Sequence, residues 1–196
     1  MLFRGKQPEA SIWRRFRAST DGFTFNEENG VFTACVVANA ERVVDLFWSL
    51  ADLLGPAVDL HVDDLRSGRS WHGESLPLPD VRDAIARLRL LIARFGGTQV
   101  SIYTSEDQLS LNEHLELYIY SRSDKWLYLL EGRGLEVMSH VETRSWKIKR
   151  QAFPAAPDLV NALAGAAERL GLQRVHEVRR GRKRLPLDLP APGLHM

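Results

Sequence analysis

The sequence predicts an α+β fold in which a mainly antiparallel sheet carries helices on one face, in a loosely ferredoxin-like arrangement. Three observations lead there. Segments of period two alternate with segments of period 3.6 along most of the chain. Asn29-Gly30, flanked by apolar runs, marks a hairpin near the start. The stretch from Pro79 to Glu131 then reads without a break as helix, strand, strand and short helix.

Taken in order, residues 1–20 form a basic segment without a clear period, in which Trp13 and Phe16 fit one turn of a helix. Phe23 to Phe25 and Val31 to Val37 are the arms of the hairpin. Asn39 is placed to cap a helix over Ala40 to Leu54, whose Val43, Phe47, Leu50 and Leu54 form one stripe, stopped by Gly55-Pro56. Val58, Leu60 and Val62 alternate with Asp59, His61 and Asp63 as a strand. Arg66 to Leu78, with Gly68, Gly73 and Pro77, reads as an irregular loop that holds Trp71.

In the following helix Val81, Ile85, Leu88, Ile92 and Phe95 make the buried stripe, Asp80 is the expected cap and Gly96-Gly97 the stop. Val100 and Ile102 lie on one face of the next strand, with Ser101 and Tyr103 on the other; Leu115, Leu117 and Ile119 oppose Glu116, Tyr118 and Tyr120 in the one after. Ser105 to Asn112 is the expected connector. Ser123 begins a short helix with Trp126, Leu129 and Leu130 inward. Arg144 to Phe153 reads as a strand and Asp158 to about Leu170 as a helix stopped by Gly171, so the domain is expected over residues 21–171, with a basic, proline-containing tail over residues 172–196.

Composition limits the function classes. The chain of 196 residues holds no apolar run long enough to span a membrane, and the basic start is not followed by the apolar region of a signal peptide. The single cysteine, Cys35, excludes an intramolecular disulfide and a multi-cysteine metal site, so a cytoplasmic location is expected. Arginine outnumbers lysine 21 to 5, as in proteins of GC-rich bacterial genomes. The net charge of +1 conceals segregation: residues 1–18 carry +4, residues 19–143 carry −10 and residues 144–196 carry +7. An acidic centre of this kind repels nucleic acid, and its basic ends reach either back to it or out to an anion.

Four constellations carry chemistry. His61 and Asp63 share a strand side, and with His72 and Glu74 they are donors suited to a divalent metal, a metal-dependent hydrolase or acid/base work, set against the plain reading of a solvated strand and polar loop. Cys35 alternates beside Val36 and Val37, where a small buried thiol is the ordinary outcome, and no G-x-S-x-G elbow, Walker loop or dinucleotide fingerprint occurs, so no cofactor is expected. Trp146, Lys147, Lys149 and Arg150, with Arg179, Arg180, Arg182, Lys183 and Arg184 in the tail, are suited to phosphate contacts and base stacking, or else to the chain's own acidic surface. Tyr103, Tyr118 and Tyr120, flanked by Glu113 and Glu116, occupy the strand faces that the aliphatic residues leave free, unless helices cover both sides.

The expectation is therefore a non-enzymatic module that binds a protein of basic character, or a second copy of itself, through an acidic, tyrosine-bearing sheet face. A nucleic-acid-associated protein is the alternative. In general character such a chain is similar to bacterial immunity proteins, inhibitors and assembly factors, an analogy of class.

Overall fold

Among the described residues, seven of nine strands fall into two hairpins and a meander that is wedged between them. The structure is a computed structural model and describes residues 21–143, 153 and 155–175. Strands β1 (Gly22–Glu28) and β2 (Val31–Val37) lead into helix α1 (Ala40–Ala51); β3 (Ala57–Asp64) and β4 (Arg69–Pro77) lead into α2 (Leu78–Phe95). The meander is β5 (Thr98–Tyr103), β6 (Asp107–Leu111) and β7 (Leu117–Ser121), followed by α3 (Lys125–Glu131), β8 (Glu136–Val137), α4 (Pro157–Arg169) and β9 (Gln173–Val175). The strand order is β8-β1-β2-β7-β6-β5-β3-β4-β9, antiparallel throughout except for β1 beside β8. The expected α+β architecture, antiparallel with helices on one face, is thus the observed one.

Local chemistry accounts for the first hairpin. Asn29 (φ 53) and Gly30 (φ 73) both take the left-handed conformation that a two-residue primed turn requires, and Glu28 pairs with Val31 across it. Register then assembles the core. Phe23, Val36, Leu117, Leu111, Val100, Val62 and Trp71 are successive partners across seven strands, and all are buried. Each large side chain in such a row contributes about 1.5–3 kcal/mol by leaving water.

The four helices of the described residues cover this side. Helix α2 lies over Leu60, Val62 and Val100 through Ala84, Ile85 and Leu88, α4 adds Leu163 and Ala167, and α1 packs beside α2. Two carboxylates are buried in this layer, Asp64 at 1 % and Asp107 at 7 % exposure, and Asp107 is fully engaged. Its Oδ1 accepts from Ser121 Oγ at 2.7 Å and Trp126 Nε1 at 2.8 Å, and its Oδ2 from Lys125 Nζ at 2.6 Å, which fastens α3 to the sheet.

Several expectations are corrected. Arg66 to Leu78 is largely strand, not loop, and Trp71 is 6 % exposed on the helix side. Its glycines misled: Gly68 (φ 65) makes the preceding turn, while Gly73 sits in the strand because a Cβ there would come 2.6 Å from Leu172 Cδ2. The connector from Ser105 to Asn112 contains strand β6, whose polar Asp107, Gln108 and Ser110 masked a two-residue period. Helix α2 begins at Leu78 rather than after an Asp80 cap, with Pro79 in the first turn, where its missing N–H is no loss.

At the other end of α2, Gly97 (φ 67) leaves room for the Arg66 guanidinium, which donates to Phe95 O at 2.5 Å. Helix α4 starts at Pro157 with Ala156, not Asp158, at the cap position. The strand expected over Arg144 to Phe153, apart from Phe153 itself, and the segments 1–20 and 176–196 lie outside the described residues.

Two outcomes follow. Trp71→Ala removes a core aromatic and is expected to cost about 3–5 kcal/mol, read from urea midpoints; a cost under about 1 kcal/mol would fit the loop placement instead. For Asp107, burial pushes the carboxyl up, but hydrogen bonds from Lys125, Ser121 and Trp126 and the Lys125 charge outweigh it and hold the group below its ordinary value. A depressed folded value stabilises above the unfolded pKa of about 3.9 and loses that stability as pH falls through the folded value. Asp107→Asn should therefore lower stability at pH 7 by about 1–3 kcal/mol and flatten the decline below pH of about 4, as measured by urea unfolding across pH.

Candidate functional site

The sheet face opposite the helices is built from the alternate residues of the same strands. One row runs Thr24, Cys35, Tyr118, Ser110, Ser101, His61 and His72; its neighbour runs Asn26, Thr33, Tyr120, Gln108, Tyr103 and Asp59. The three tyrosines expected on this face are all there, each half-buried. Between them Ser101 Oγ and Ser110 Oγ lie 2.9 Å apart, and Gln108 Nε2 donates to Ser110 Oγ at 2.8 Å.

The acidic companions are not where the sequence put them. Glu116 is wholly buried; its Oε2 accepts from Asn112 Nδ2 at 2.8 Å and from Tyr118 Oη at 3.2 Å. Glu113 lies in the turn between β6 and β7, 3.7 Å from His114 Nε2, and its carbonyl accepts from Gly97 N. The expected strand over 113 to 121 starts only at Leu117, because Leu115 takes φ 60 and the Asn112 side chain accepts from the amides of His114 and Glu116. Acidity on the face instead comes from Asp59, Asp63 and Glu74, on β3 and β4.

At the β2–β7 end, burial pushes the Cys35 thiol up to about 11, with a hydrogen bond from Tyr118 pulling down and the Glu116 charge pushing up. The Tyr118 phenol is raised by burial first, then by the negative potential of Cys35 and Glu116; burial, then Cys35, raises Tyr120. These groups are neutral at pH 7, so this end offers a hydrogen-bonding and stacking surface rather than a nucleophile.

The β3–β4 end gathers the other candidates. His61 and His72 are direct cross-strand partners with ring centroids 6.1 Å apart. His61 Nε2 is 3.0 Å from Asp63 Oδ1 and 3.3 Å from Ser70 Oγ, and Ser70 Oγ donates to Asp63 Oδ1. Both contacts fall on one nitrogen, which is not the relay of a Ser-His-Asp triad, where the two partners take opposite ring nitrogens. His72 is held at both: Tyr103 Oη lies 3.3 Å from Nδ1, and Glu74 Oε1 lies 3.1 Å from Nε2.

A bulge sits beside this cluster. The register shifts between Val58 and Leu60, leaving Glu74 and Ser75 opposite Asp59; Ser75 has φ 51 and its amide donates to Asp59 Oδ1 at 2.8 Å. A non-glycine residue held in the left-handed region by a specific partner is the kind of local strain that collects at binding sites.

Sequence reasoning named His61, Asp63, His72 and Glu74 but left their meeting to an irregular loop; the strand β4 brings them together. Ser70, Gln108 and Ser110 were missed with β4 and β6, and only the register of those strands reveals them. The basic candidates Lys147, Lys149, Arg150, Arg179, Arg180, Arg182, Lys183 and Arg184 lie outside the described residues. Compared with known proteins, the chain matches no family model, no curated protein and no solved structure.

The raised thiol gives a test. Iodoacetamide at pH 7.5 should alkylate Cys35 at least tenfold more slowly than a free thiol of pKa about 8.5 in the native protein, and at the free-thiol rate in urea. Equal native and denatured rates would contradict the buried, unactivated placement.

Proposed function

We propose that this chain is a non-enzymatic binding module whose open sheet face engages a protein, either a partner with basic character or a second copy of the chain, in the manner of immunity proteins, inhibitors or assembly factors. The observation that carries the reading is the joint placement of Tyr103, Tyr118 and Tyr120 on the face opposite all four helices. Tyrosine supplies large, stiff, amphipathic contact area and is enriched among residues that dominate binding energy. Asp59, Asp63 and Glu74 along one side of the face favour cationic side chains across an interface. The raised Cys35, Tyr118 and Tyr120 supply no activated group, which argues for recognition over catalysis at that end. Among the described residues no helix is long and apolar enough to cross a membrane.

Sedimentation of the full chain and capture of partners on it test the proposal together. Self-association or a captured partner should weaken at least tenfold in the Tyr118→Ala, Tyr120→Ala double variant, and should weaken with added salt if the partner is basic. A strict monomer with no partner, or binding indifferent to these substitutions in a variant that keeps its circular dichroism, would end the proposal.

A further inference from the structure

Strand β1 has a neighbour along only part of its outer edge. It pairs with β2 over its whole length, from Gly22 opposite Val37 to Glu28 opposite Val31, but β8 accompanies it at Gly22 and Phe23 alone. Met138 N donates to Phe23 O at 2.8 Å, the chain then bends at Ser139, and among the described residues no strand runs beside Thr24 to Glu28 on that side. Alternation gives the direction of the backbone groups left there. Since Phe23 O points towards β8, the N–H and C=O of Phe25 and Glu27 point the same way, whereas those of Thr24, Asn26 and Glu28 face β2. The Thr33 hydroxyl on β2, which donates to Asn26 O, agrees with that assignment. Such a row of donors and acceptors is a template for another strand.

We propose that this edge accepts an extended, cationic segment of a partner protein as an added strand antiparallel to β1. The side chains around the edge define that segment. Asn26, Glu27 and Glu28 are exposed, and neither glutamate has an ion-pair partner among the described residues. Residues of the added strand opposite Glu27 and Glu28 are therefore lysine or arginine. Phe25 stacks on Phe32 with ring centroids 5.7 Å apart, on the same face as Glu27, and the residue opposite Phe25 is apolar. Read in its own direction, the segment carries two adjacent cations, one polar residue and one apolar residue. A second copy does not fit through the same edge, because self-pairing of β1 brings Glu27 and Glu28 of both chains, with no cation, into one ladder. The two carboxylates thus select the partner strand rather than close the edge to all strands. This inference does not rest on the tyrosines, which stand on β5 and β7, beyond β2.

The test uses the full chain and a labelled, terminally capped peptide, Thr-Lys-Lys-Thr-Val-Thr, whose lysines stand opposite Glu28 and Glu27 and whose valine stands opposite Phe25. Fluorescence anisotropy at low salt should show saturable binding that weakens as salt rises. N-methylation of the second lysine and the valine, the two residues whose amides face β1, should weaken it at least tenfold. The Glu27→Lys, Glu28→Lys double variant should weaken it as much while keeping the parent's circular dichroism, since both side chains are exposed. In hydrogen exchange the amides of Phe25 and Glu27 should slow at least tenfold when the peptide is bound, and those of Asn26 and Glu28 should not change. The Tyr118→Ala, Tyr120→Ala variant should bind the peptide as the parent does, so this edge and the tyrosine-bearing face succeed or fail separately. No saturable binding, equal affinity for the N-methylated peptide, equal affinity in the charge-reversed variant, or loss of binding in the tyrosine variant would overturn the proposal.

Discussion

Everything in this molecule depends on the two-residue alternation of a sheet whose described helices pack on one side. Because successive side chains point to opposite faces, a strand that gives Val100 and Ile102 to the helices must give Ser101 and Tyr103 to the other side. Repeated in register from β1 to β4, that rule produces an unbroken apolar row from Phe23 to Trp71 and, one residue out of phase, a polar row from Thr24 to His72. A slip of one residue in any strand would exchange the two sets, so the hydrophobic row also sets the address of every group on the polar face.

The meander of β5, β6 and β7 is where that constraint acts most strongly. It joins β2 to β3, which are neighbours in sequence across α1 but three strands apart in the sheet. Its middle strand carries a carboxylate on the helix side, and Asp107 is tolerated there because Ser121, Lys125 and Trp126 satisfy it. A buried anion with every partner supplied is directional where apolar packing is not, and it gives α3 a single docked position. The same meander turns through Asn112 to Glu116, where a second carboxylate, also hydrogen-bonded, is withdrawn from the face.

The polar face is consequently uneven. Near β2 and β7 it is neutral, aromatic and chemically quiet, since burial keeps the thiol and phenols protonated. Near β3 and β4 it is acidic and rich in imidazole, and a bulge strains the backbone beside it. The first region presents hydrogen-bonding and aromatic groups, and the second presents negative charge.

Much of the fold was legible in the residues themselves. The hairpin at Asn29-Gly30, the stripe of α2 with its Gly96-Gly97 stop, and the alternation around Val58 to Val62 are local signals, set by turn conformation and side-chain period, and the structure follows them. Strands β4 and β6 escaped because Gly73 and Asp107 are chosen for neighbours distant in sequence, Leu172 for the one and Trp126 for the other. The sequence by itself determined which residues share a face of the strands it marked, and so placed three tyrosines opposite the core. Only the tertiary structure decided that His61 meets His72, that Cys35 lies beside Tyr118 and that Glu116 is buried, because cross-strand register is fixed by packing summed over the whole sheet and by no local run of residues.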